Sequence, residues 1–474
     1  MVEMDSKPLD VLILAAGLGT RMRSDIAKVL HRLDGRPLIS HVCRTAAALA
    51  PRKVYVVVGH QAEEVREAVL TELGEEYVEF VTQKEQLGTG DAVNAARDFL
   101  EGEESELLVL SGDVPMIRVE TLAGLVRQHQ SHRGKGAACT VLTVNMDDPT
   151  GYGRVIRDSA GFFEKIVEQK DGSEEELKTR EINAGIYCFD TAKLFDALER
   201  VSNDNAQGEY YLTDVPSVLS ADGEPVSIFK HNDSSEIEGV NDRAQLAELE
   251  RAIRRRAVKK LMKDFGVTVL DPYNTYVGSA VAVGRDTVIY PNVTLEGETR
   301  IGDGCVIRSG TRVSDSRIGH GVEILDNCVL DDAEVKNNCR IGPFAHLRPG
   351  AVLEEGARIG NFVEVKKSVI GRNSKANHLA YIGDATVGEN TNIGAGTVTC
   401  NYDGKNKHRT EIGNNVKIGS DTMLVAPVKV GDGSVTGAGS VVTKDIPPNK
   451  LAVGAPARTI RNIENTEPEG EEKD

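Results

Sequence analysis

A glycine-rich turn near the amino terminus carries residue types that suit a phosphate site. The first apolar run leads into Leu14-Ala15-Ala16-Gly17-Leu18-Gly19, and the basic residues Arg21 and Lys28 follow it. Small residues let backbone N–H groups approach an anion closely. The turn is not a Walker A loop, because no Gly-Lys-Ser/Thr follows, and Met22 stands where a dinucleotide fingerprint has its third glycine. The pattern predicts a phosphate cradle, with a plain tight turn as the alternative.

A carboxylate follows a later apolar run. Ser111-Gly112-Asp113 ends the run ELLVLSGD, and Gln83 and Gln86-Leu87-Gly88-Thr89-Gly90 come after the run before it. A carboxylate at the carboxyl end of a strand lies where ligands bind in open α/β sheets. Asp113 is therefore predicted to be a Mg²⁺ ligand, with a turn or a helix cap as the alternative.

The carboxyl-terminal half holds a histidine among cationic and hydroxyl side chains. His378 and Tyr381 lie in SKANHLAYIGD, after Arg348 in AHLRPG and Lys366 in NFVEVKK. A neutral imidazole can take a proton from an amine, and cations can hold a sugar phosphate. His378 is therefore the candidate general base, with a surface or packed histidine as the alternative. Further candidates are Asn392 and Ala395 in NIGAGT and the pair Asn401-Tyr402.

Apolar and amphipathic segments alternate over residues 9–241. LDVLILAAG, KVYVVVG, YVEFV and ELLVLSGD are predicted strands, and PLISHVCRTAAALA, AEEVREAVLTEL and GDAVNAARDFL are predicted helices. This alternation predicts a Rossmann-like α/β domain with a mostly parallel sheet covered on both faces. Residues 242–266 are predicted to form one linker helix, because their apolar residues are three to five apart. Its basic residues are interpreted as a solvated helix face, with nucleic-acid binding as the alternative.

A hexapeptide repeat dominates the chain after residue 274. Val277, Val283, Ile289, Leu295, Ile301, Ile307 and Val313 are six residues apart, and the period returns from Ile412. The repeat predicts a left-handed parallel β-helix of about ten coils within residues 267–460, with the aliphatic side chains inside. Slips of phase lie between Val313 and Ile318 and between Val365 and Ile370, and CNYDGKNKHRTE at 400–411 is predicted to be an inserted loop. Ala376 keeps the inward frame, so His378 is predicted to face outward.

Length and charge restrict the possible functions. The chain has 474 residues, enough for two or three domains, and a formal net charge of −17. This charge disfavours nucleic acids and anionic membranes as partners and leaves small anionic substrates open. The seven scattered cysteines, with no signal-peptide pattern and no long apolar stretch, predict a cytoplasmic protein with reduced thiols that does not enter a membrane. Residues 1–8 and 461–474 are predicted tails, the second acidic and disordered.

The pattern L-x-x-G-x-G-T-x-M followed by Lys28 resembles the sugar-nucleotide pyrophosphorylases, although Ala27 stands where that family usually has proline. The segments GYGR, IVEQKD, EINAG, EGVND and NAQGEYYLTD match one branch of it. With HLAYIGD and CNYDG, residues 9–457 closely resemble the bacterial bifunctional N-acetylglucosamine-1-phosphate uridyltransferase/glucosamine-1-phosphate acetyltransferases. The resemblance implies acetyl transfer from acetyl-CoA to glucosamine 1-phosphate and then uridylyl transfer from UTP, which yields UDP-N-acetylglucosamine for peptidoglycan and lipopolysaccharide precursors. It also implies a homotrimer with acetyltransferase sites between subunits.

The resemblance implies a role for each candidate residue. Arg21 and Lys28 would hold phosphates, and Asp113 and Asn241 would hold Mg²⁺. The nucleotide and its sugar would contact Leu14, Ala15, Ala16, Gly17, Gln83, Gly88, Thr89, Ser111, Gly112, Gly153, Glu168 and Asn183. His378 would be the general base, with Arg348, Lys366, Tyr381 and Asn392 on glucosamine 1-phosphate and Ala395, Asn401, Tyr402, Ser420, Ala438 and Arg458 on acetyl-CoA. Many family members have an arginine at the position of Ala455, and Arg458 is the candidate substitute.

Two other functions fit parts of the chain. A monofunctional sugar-1-phosphate nucleotidyltransferase with a structural or regulatory β-helix would explain the amino-terminal motifs, but HLAYIGD and CNYDG argue against it. A non-catalytic sugar-nucleotide sensor would have no need of the metal-held triphosphate that Arg21, Lys28, Asp113 and Asn241 imply.

Overall fold

The computed structural model describes residues 7–132 and 136–463. Contacts divide the chain into two compact units between Leu249 and Glu250. Residues 1–6 and 464–474, which make up most of the two predicted tails, lie outside the described residues. The last strand, Arg458–Asn462, includes the first two residues of the predicted acidic tail.

The amino-terminal unit is built on one mixed sheet. Its strands are β1 Leu9–Leu14, β2 Arg32–Leu33, β3 Arg36–Pro37, β4 Lys53–Val58, β5 Val78–Thr82, β6 Glu106–Ser111, β7 Cys139–Asn145, β8 Arg154–Arg157, β9 Phe163–Val167, β10 Glu181–Asp190 and β11 Val226–His231. Its α-helices are α1 Leu38–Ala47, α2 Ala62–Leu73, α3 Thr89–Asn94, α4 Arg97–Leu100, α5 Val119–Ser131, α6 Thr191–Leu198 and α7 Val215–Ala221. Short 3₁₀ turns lie at Thr20–Met22, Lys28–Leu30, Glu75–Tyr77, Glu176–Lys178, Leu212–Asp214 and Ser234–Glu236.

The prediction of a mostly parallel sheet with both faces covered is confirmed. The strand order is β11-β7-β10-β6-β1-β4-β5, with β8 and β9 beside β10, and the small strands β2 and β3 pair separately. Strands β6, β1, β4 and β5 are parallel, whereas β10 is antiparallel to both β6 and β7. Successive residues of a strand point to opposite faces, so Val11 and Ile13 enter one core and Leu12 enters the other. The segment predicted as one helix over GDAVNAARDFL is divided into α3 and α4.

The loops that follow the parallel strands meet at one edge of the sheet. Strands β1, β4, β5 and β6 all end there, at Leu14, Val58, Thr82 and Ser111. The Gly112 N–H donates to the Leu14 carbonyl at 2.9 Å, which joins the first and last of these loops. Ligands bind at this edge in open α/β sheets.

A long helix, α8, runs from Arg243 to Asp264, close to the predicted 242–266. The division between the two units falls within it. Its residues Val258 and Leu261 are buried in the core of the carboxyl-terminal unit. Within the described ranges no helix is long and apolar enough to cross a membrane.

The carboxyl-terminal unit is a three-faced parallel β-helix. The first face holds Thr268–Val269, Val288–Ile289, Val306–Ile307, Glu323–Ile324, Arg340–Ile341, Arg358–Asn361, Lys375–His378, Asn392–Ile393, Lys417–Ile418, Val435–Thr436, Lys450–Val453 and the antiparallel Arg458–Asn462. The second face holds Tyr276–Val277, Thr294–Glu296, Arg312–Ser314, Val329–Asp331, His346–Leu347, Glu364–Lys366, Tyr381–Gly383, Val398–Cys400, Met423–Val425 and Val441–Val442. The third face holds Ala282–Val283, Arg300–Ile301, Arg317–Ile318, Glu334–Val335, Val352–Leu353, Val369–Ile370, Ala385–Val387, Thr410–Ile412 and Val428–Val430.

The hexapeptide frame lies inside the β-helix as predicted. The seven aliphatic residues that recur every six positions from Val277 to Val313 are all buried. The second face has ten strands, which agrees with the predicted number of coils. Besides the two predicted slips, the structure has shortened corners after Leu330 and after Ile382. Each of the four shortened corners contains one non-glycine residue with left-handed backbone: Asp315, Asp332, Lys367 and Asp384.

A buried histidine should make the stability of the amino-terminal unit depend on pH. His129 in α5 is 1% exposed, and burial lowers its pKa from 6.5 to about 4. Because the folded unit keeps the imidazole neutral, the stability it contributes is present above pH 6.5 and is lost as the pH falls toward 4. Between these values we expect the unfolding free energy to fall by up to about 3 kcal/mol more in the unaltered protein than in His129→Gln. Urea unfolding followed by helical circular dichroism measures this, and equal pH dependence in both proteins would contradict it.

Candidate functional site

The glycine-rich turn brings Lys28 close to the end of β1. Gly19 has a left-handed backbone, φ +59°, and a Cβ there would lie 2.6 Å from the Cβ of Lys28. Glycine is therefore required both for the turn and for the close passage of the lysine. The Ala15 N–H donates to the Val57 carbonyl at 2.9 Å, which ties the turn to β4.

Four predicted phosphate and metal residues meet at this edge of the sheet. The Lys28 ammonium donates to the Asp113 carboxylate, and both side chains are largely buried. The Lys28 Nζ also lies 3.4 Å from Asn241 Oδ1, which accepts a hydrogen bond from Arg21 Nη2 at 2.8 Å. Residues from distant parts of the chain thus form one charged cluster, and it is the cluster that the sequence predicted for a triphosphate.

The oxygens of this cluster suit a magnesium ion. Asp113 Oδ2 and Asn241 Oδ1 both face the Lys28 ammonium, so a cation already lies between them. Mg²⁺ prefers such oxygen ligands and completes its shell with waters and substrate phosphates. In the described residues no group of three histidine, cysteine or acidic side chains could hold a metal ion.

A second pair of loops holds residues that were predicted to contact the nucleotide. Gln83 is buried, and its Nε2 donates to Asp91 Oδ2 at 2.7 Å. Gly88 has φ +113°, and a Cβ there would lie 2.5 Å from the Tyr210 carbonyl oxygen. The Gly90 N–H donates to the same carbonyl at 2.8 Å. This close packing explains why the glycines of QLGTG and the segment NAQGEYYLTD occur together, and it adds Asp91 to the candidate residues.

The predicted sugar residues form a third group. The Asn183 N–H donates to the Gly153 carbonyl at 2.9 Å, and a Cβ at Gly153 would lie 3.3 Å from Glu168 Oε1. Burial raises the pKa of the Glu168 carboxyl, and the nearby Asp214 and Asp171 raise it further. A half-buried carboxyl group of raised pKa beside polar groups suits recognition of sugar hydroxyls and amides. The Thr89 hydroxyl, also predicted here, accepts from the Leu212 N–H at 3.1 Å.

In the β-helix, one row of predicted residues follows the corner between the first and second faces. The Asp421 N–H donates to the Ala395 carbonyl at 2.7 Å, and the Gly439 N–H donates to the Ser420 carbonyl at 2.8 Å. Ala395, Ser420 and Ala438 therefore lie at the same corner of successive coils. His378 lies one coil earlier and is exposed, as its sequence frame predicted. We call His378, Ala395, Ser420 and Ala438 the corner row. Asn392 is exposed on the first face, three residues before Ala395.

A second group lies at the corner between the second and third faces. We call this group the cation cluster: Arg348, Lys366 and Lys407. The adjacent Lys407 and Arg348 lower the pKa of the Lys366 ammonium. Arg348 bonds the Glu364 carboxylate at 2.7 Å, and this bond raises the pKa of the guanidinium. Three neighbouring cations suit an anionic group such as a phosphate. Sequence reasoning missed Lys407, whose only signal was its position in the inserted loop.

The inserted loop, residues 401–409, is anchored beside the cation cluster. Buried Asn401 donates to Asp384 Oδ2 at 2.6 Å and lies 3.5 Å from the Tyr381 hydroxyl. Tyr402 is 60% exposed, and its hydroxyl bonds the Gly404 carbonyl within the loop. Two residues predicted for acetyl-CoA therefore lie at a different corner of the chain from Ala395, Ser420 and Ala438.

The end of the β-helix carries the candidate substitute arginine. Arg458 and Ala455 are both exposed, and Arg458 pairs with Val453 in an antiparallel hairpin. A Cβ at Gly437 would contact the Val453 side chain at 2.7 Å. Val453 therefore lies beside Gly437, which precedes Ala438 in the chain, and Arg458 is the hairpin partner of Val453.

Comparison with known proteins agrees with this two-part architecture. A nucleotidyl transferase family model matches residues 10–242. A model of six bacterial transferase hexapeptide repeats matches residues 280–315, 332–367 and 409–444, which confirms the predicted left-handed β-helix class.

Curated relatives extend the similarity over nearly the whole chain. A bifunctional protein GlmU of Syntrophomonas wolfei is 48% identical over 94% of this chain and 97% of its own length. Proteins of the same name from Pelobacter propionicus and a Geobacillus species are 50% and 48% identical, over 93% and 96% of this chain and 95% and 96% of their own lengths. With both family models present and the shared length nearly complete, the chain belongs to the bifunctional GlmU family.

Proposed function

We propose that the chain makes UDP-N-acetylglucosamine in two reactions carried out by separate units. The β-helix unit transfers an acetyl group from acetyl-CoA to glucosamine 1-phosphate. The α/β unit then transfers a uridylyl group from UTP to N-acetylglucosamine 1-phosphate and releases pyrophosphate. The observation that carries the proposal is the pair of built sites: Arg21, Lys28, Asp113 and Asn241 in one unit, and His378 with the cation cluster in the other.

In uridylyl transfer, an oxygen of the sugar phosphate forms a bond to the α-phosphorus of UTP while the bond to pyrophosphate breaks. The triphosphate draws the Lys28 ammonium and the Arg21 guanidinium, which neutralise charge that grows on the leaving group. Asp113 and Asn241 would hold Mg²⁺, which when bound supplies further positive charge beside the phosphate oxygens. Gln83, Gly88 and the Leu14–Gly17 turn receive the nucleotide, and Thr89, Gly153, Glu168 and Asn183 face the sugar.

In acetyl transfer, the amine of glucosamine 1-phosphate forms a bond to the thioester carbonyl carbon, and the bond to the CoA sulfur breaks. His378 takes the proton that the amine gives up. Arg348, Lys366 and Lys407 bind the sugar phosphate, and Tyr381 and Asn392 orient the sugar. Ala395, Ser420 and Ala438 line the path of acetyl-CoA, and Arg458 faces its anionic end.

We infer a homotrimer in which these sites are completed between subunits. The residues proposed for acetyl-CoA lie at two corners of one chain, which supports contribution by two copies. An exposed apolar row beside His378 supports it as well: Phe344, Phe362 and Leu379, which are 48%, 56% and 62% exposed. The two phenyl rings stack with centroids 5.3 Å apart, and all three residues have left-handed backbone. Bulky apolar residues in a rare backbone conformation at one exposed corner suit a buried interface.

A charge in the apolar row tests the trimer. Phe362→Asp is expected to shift the sedimentation mass from trimer toward monomer and to abolish acetyl transfer, because a carboxylate would be buried without a partner. Uridylyl transfer should remain near the unaltered rate, which shows that the chain is folded. Ile460→Asp, which places the same charge at an exposed isoleucine, should leave both the trimer and acetyl transfer unchanged. A Phe362→Asp protein that stays trimeric and acetylates normally would contradict the interface.

We propose a cytoplasmic protein, which the seven unpaired cysteines support because free thiols persist in reducing compartments.

Supplied with UTP, Mg²⁺ and N-acetylglucosamine 1-phosphate, the protein should release pyrophosphate. No release with this acceptor would refute the uridylyl reaction.

A further inference from the structure

Asn361 and His378 face each other on neighbouring coils. The first-face strands Arg358–Asn361 and Lys375–His378 have four residues each, whereas the strands on either side of them have two. Their register pairs Asn361 with His378, and His378 Nδ1 lies 2.8 Å from Asn361 Oδ1. The two longer strands therefore end in a direct contact to the proposed general base.

Gly360 makes this contact possible. A Cβ at Gly360 would overlap the Asn377 carbonyl group, so a larger residue would force the two strands apart. The Leu379 N–H donates to the Asn361 carbonyl oxygen at 3.0 Å, which fixes the Asn361 backbone to the next coil. The amide side chain thus starts from a constrained position beside the imidazole.

The contact determines which ring nitrogen carries the proton. An amide oxygen has no hydrogen to donate, so a bond from His378 Nδ1 to Asn361 Oδ1 requires the proton to be on Nδ1. The other nitrogen, Nε2, then keeps its lone pair. We propose that Asn361 is a positioning residue that holds His378 in this tautomer, so that Nε2 is the atom that takes the proton from the sugar amine. The inference rests on the proposed role of His378 as base.

The surroundings of the ring leave this role to Asn361. In the described part of the chain no ion pair joins His378 to an acid, and Asn361 is the side chain that contacts its ring nitrogen. The charged residues of the same two strands are Lys375 and Arg358, which are opposite each other in the register and exposed. The next coil presents the uncharged Asn392. On the second face Tyr381 lies opposite Glu364, whose carboxylate is bonded to Arg348. Without Asn361 the neutral ring is free to carry its proton on Nε2, where it cannot act as a base.

Two substitutions at Asn361 separate positioning from structure. The pH dependence of acetyl transfer is measured with the full-length protein at saturating acetyl-CoA, and uridylyl transfer serves as the folding control. In Asn361→Asp a carboxylate accepts the same bond and stabilises the protonated ring, so the acidic limb of the profile should move to higher pH by about one unit while the plateau is kept. In Asn361→Leu the plateau should fall by about tenfold without that shift. Asn415→Asp, an exposed asparagine elsewhere in the β-helix, should leave the profile unchanged.

The outcomes separate this inference from the proposed function. If His378→Ala is inactive but Asn361→Asp leaves the acidic limb in place, or Asn361→Leu keeps the full plateau, the positioning role is overturned and the base role stands. If His378→Ala itself keeps full acetyl transfer, both are overturned. A shifted limb in Asn361→Asp together with a lowered plateau in Asn361→Leu supports the inference.

Discussion

Replacing His378 with alanine is expected to lower the rate of acetyl transfer by about 10²- to 10⁴-fold, the usual contribution of a general base. The imidazole is exposed at the corner and is the group proposed to take the amine proton. Uridylyl transfer should not change, because its residues lie in the amino-terminal unit. Release of CoA and of pyrophosphate, each followed with its own substrates supplied, measures the two rates separately.

A second exposed histidine of the β-helix provides the control for this experiment. His346 is exposed on the second face of the same β-helix, and His346→Ala should acetylate at the unaltered rate. Normal CoA release by the His378→Ala protein would contradict the proposed base role. Equal losses of both activities would also count against it, since they would report a folding defect rather than the loss of a base.

The second large effect is expected at Asp113. Asp113→Ala should lower uridylyl transfer by about 10²- to 10³-fold or more, because it removes a proposed Mg²⁺ ligand and leaves the Lys28 ammonium without its carboxylate partner. Acetyl transfer should be unaffected. The rate is measured as pyrophosphate release from UTP and N-acetylglucosamine 1-phosphate over a range of Mg²⁺ concentrations.

The metal role gives Asp113→Ala a further signature. Its Mg²⁺ requirement should rise, whereas Asp98→Ala, an exposed aspartate in α4 of the same unit, should match the unaltered protein. A normal rate in Asp113→Ala at limiting Mg²⁺ would refute the assignment of this carboxylate to the metal.

The periodic part of the fold could be read from the sequence because its cause is local. A residue that points inward recurs every six positions, and burial of Val277 through Val313 follows from that spacing. The shortened corners after Leu330 and Ile382 were missed, since Asp332 and Asp384 take the left-handed conformation that a glycine would have signalled. Aspartate adopts this conformation more readily than most residues, but its presence alone does not mark a turn.

The sequence predicted site residues only where they follow a buried strand or belong to a recognised motif. Asp113 could be expected near the glycine-rich turn, because both follow buried parallel strands. Lys407 and Asn361 could not, since their positions depend on how corners of separate coils meet. The contact of Asn361 with His378 requires the longer strands that Gly360 permits, and no repeat pattern reveals that requirement.

The two proposed reactions follow one another on the same protein. The most direct test mixes the protein with glucosamine 1-phosphate, acetyl-CoA, UTP and Mg²⁺, omits one component at a time, and follows CoA and pyrophosphate separately. We expect CoA release without UTP, and pyrophosphate release only when acetyl-CoA is present. Pyrophosphate release that requires pre-acetylated sugar phosphate, with no CoA released under any condition, would contradict it and would leave the β-helix without a catalytic role.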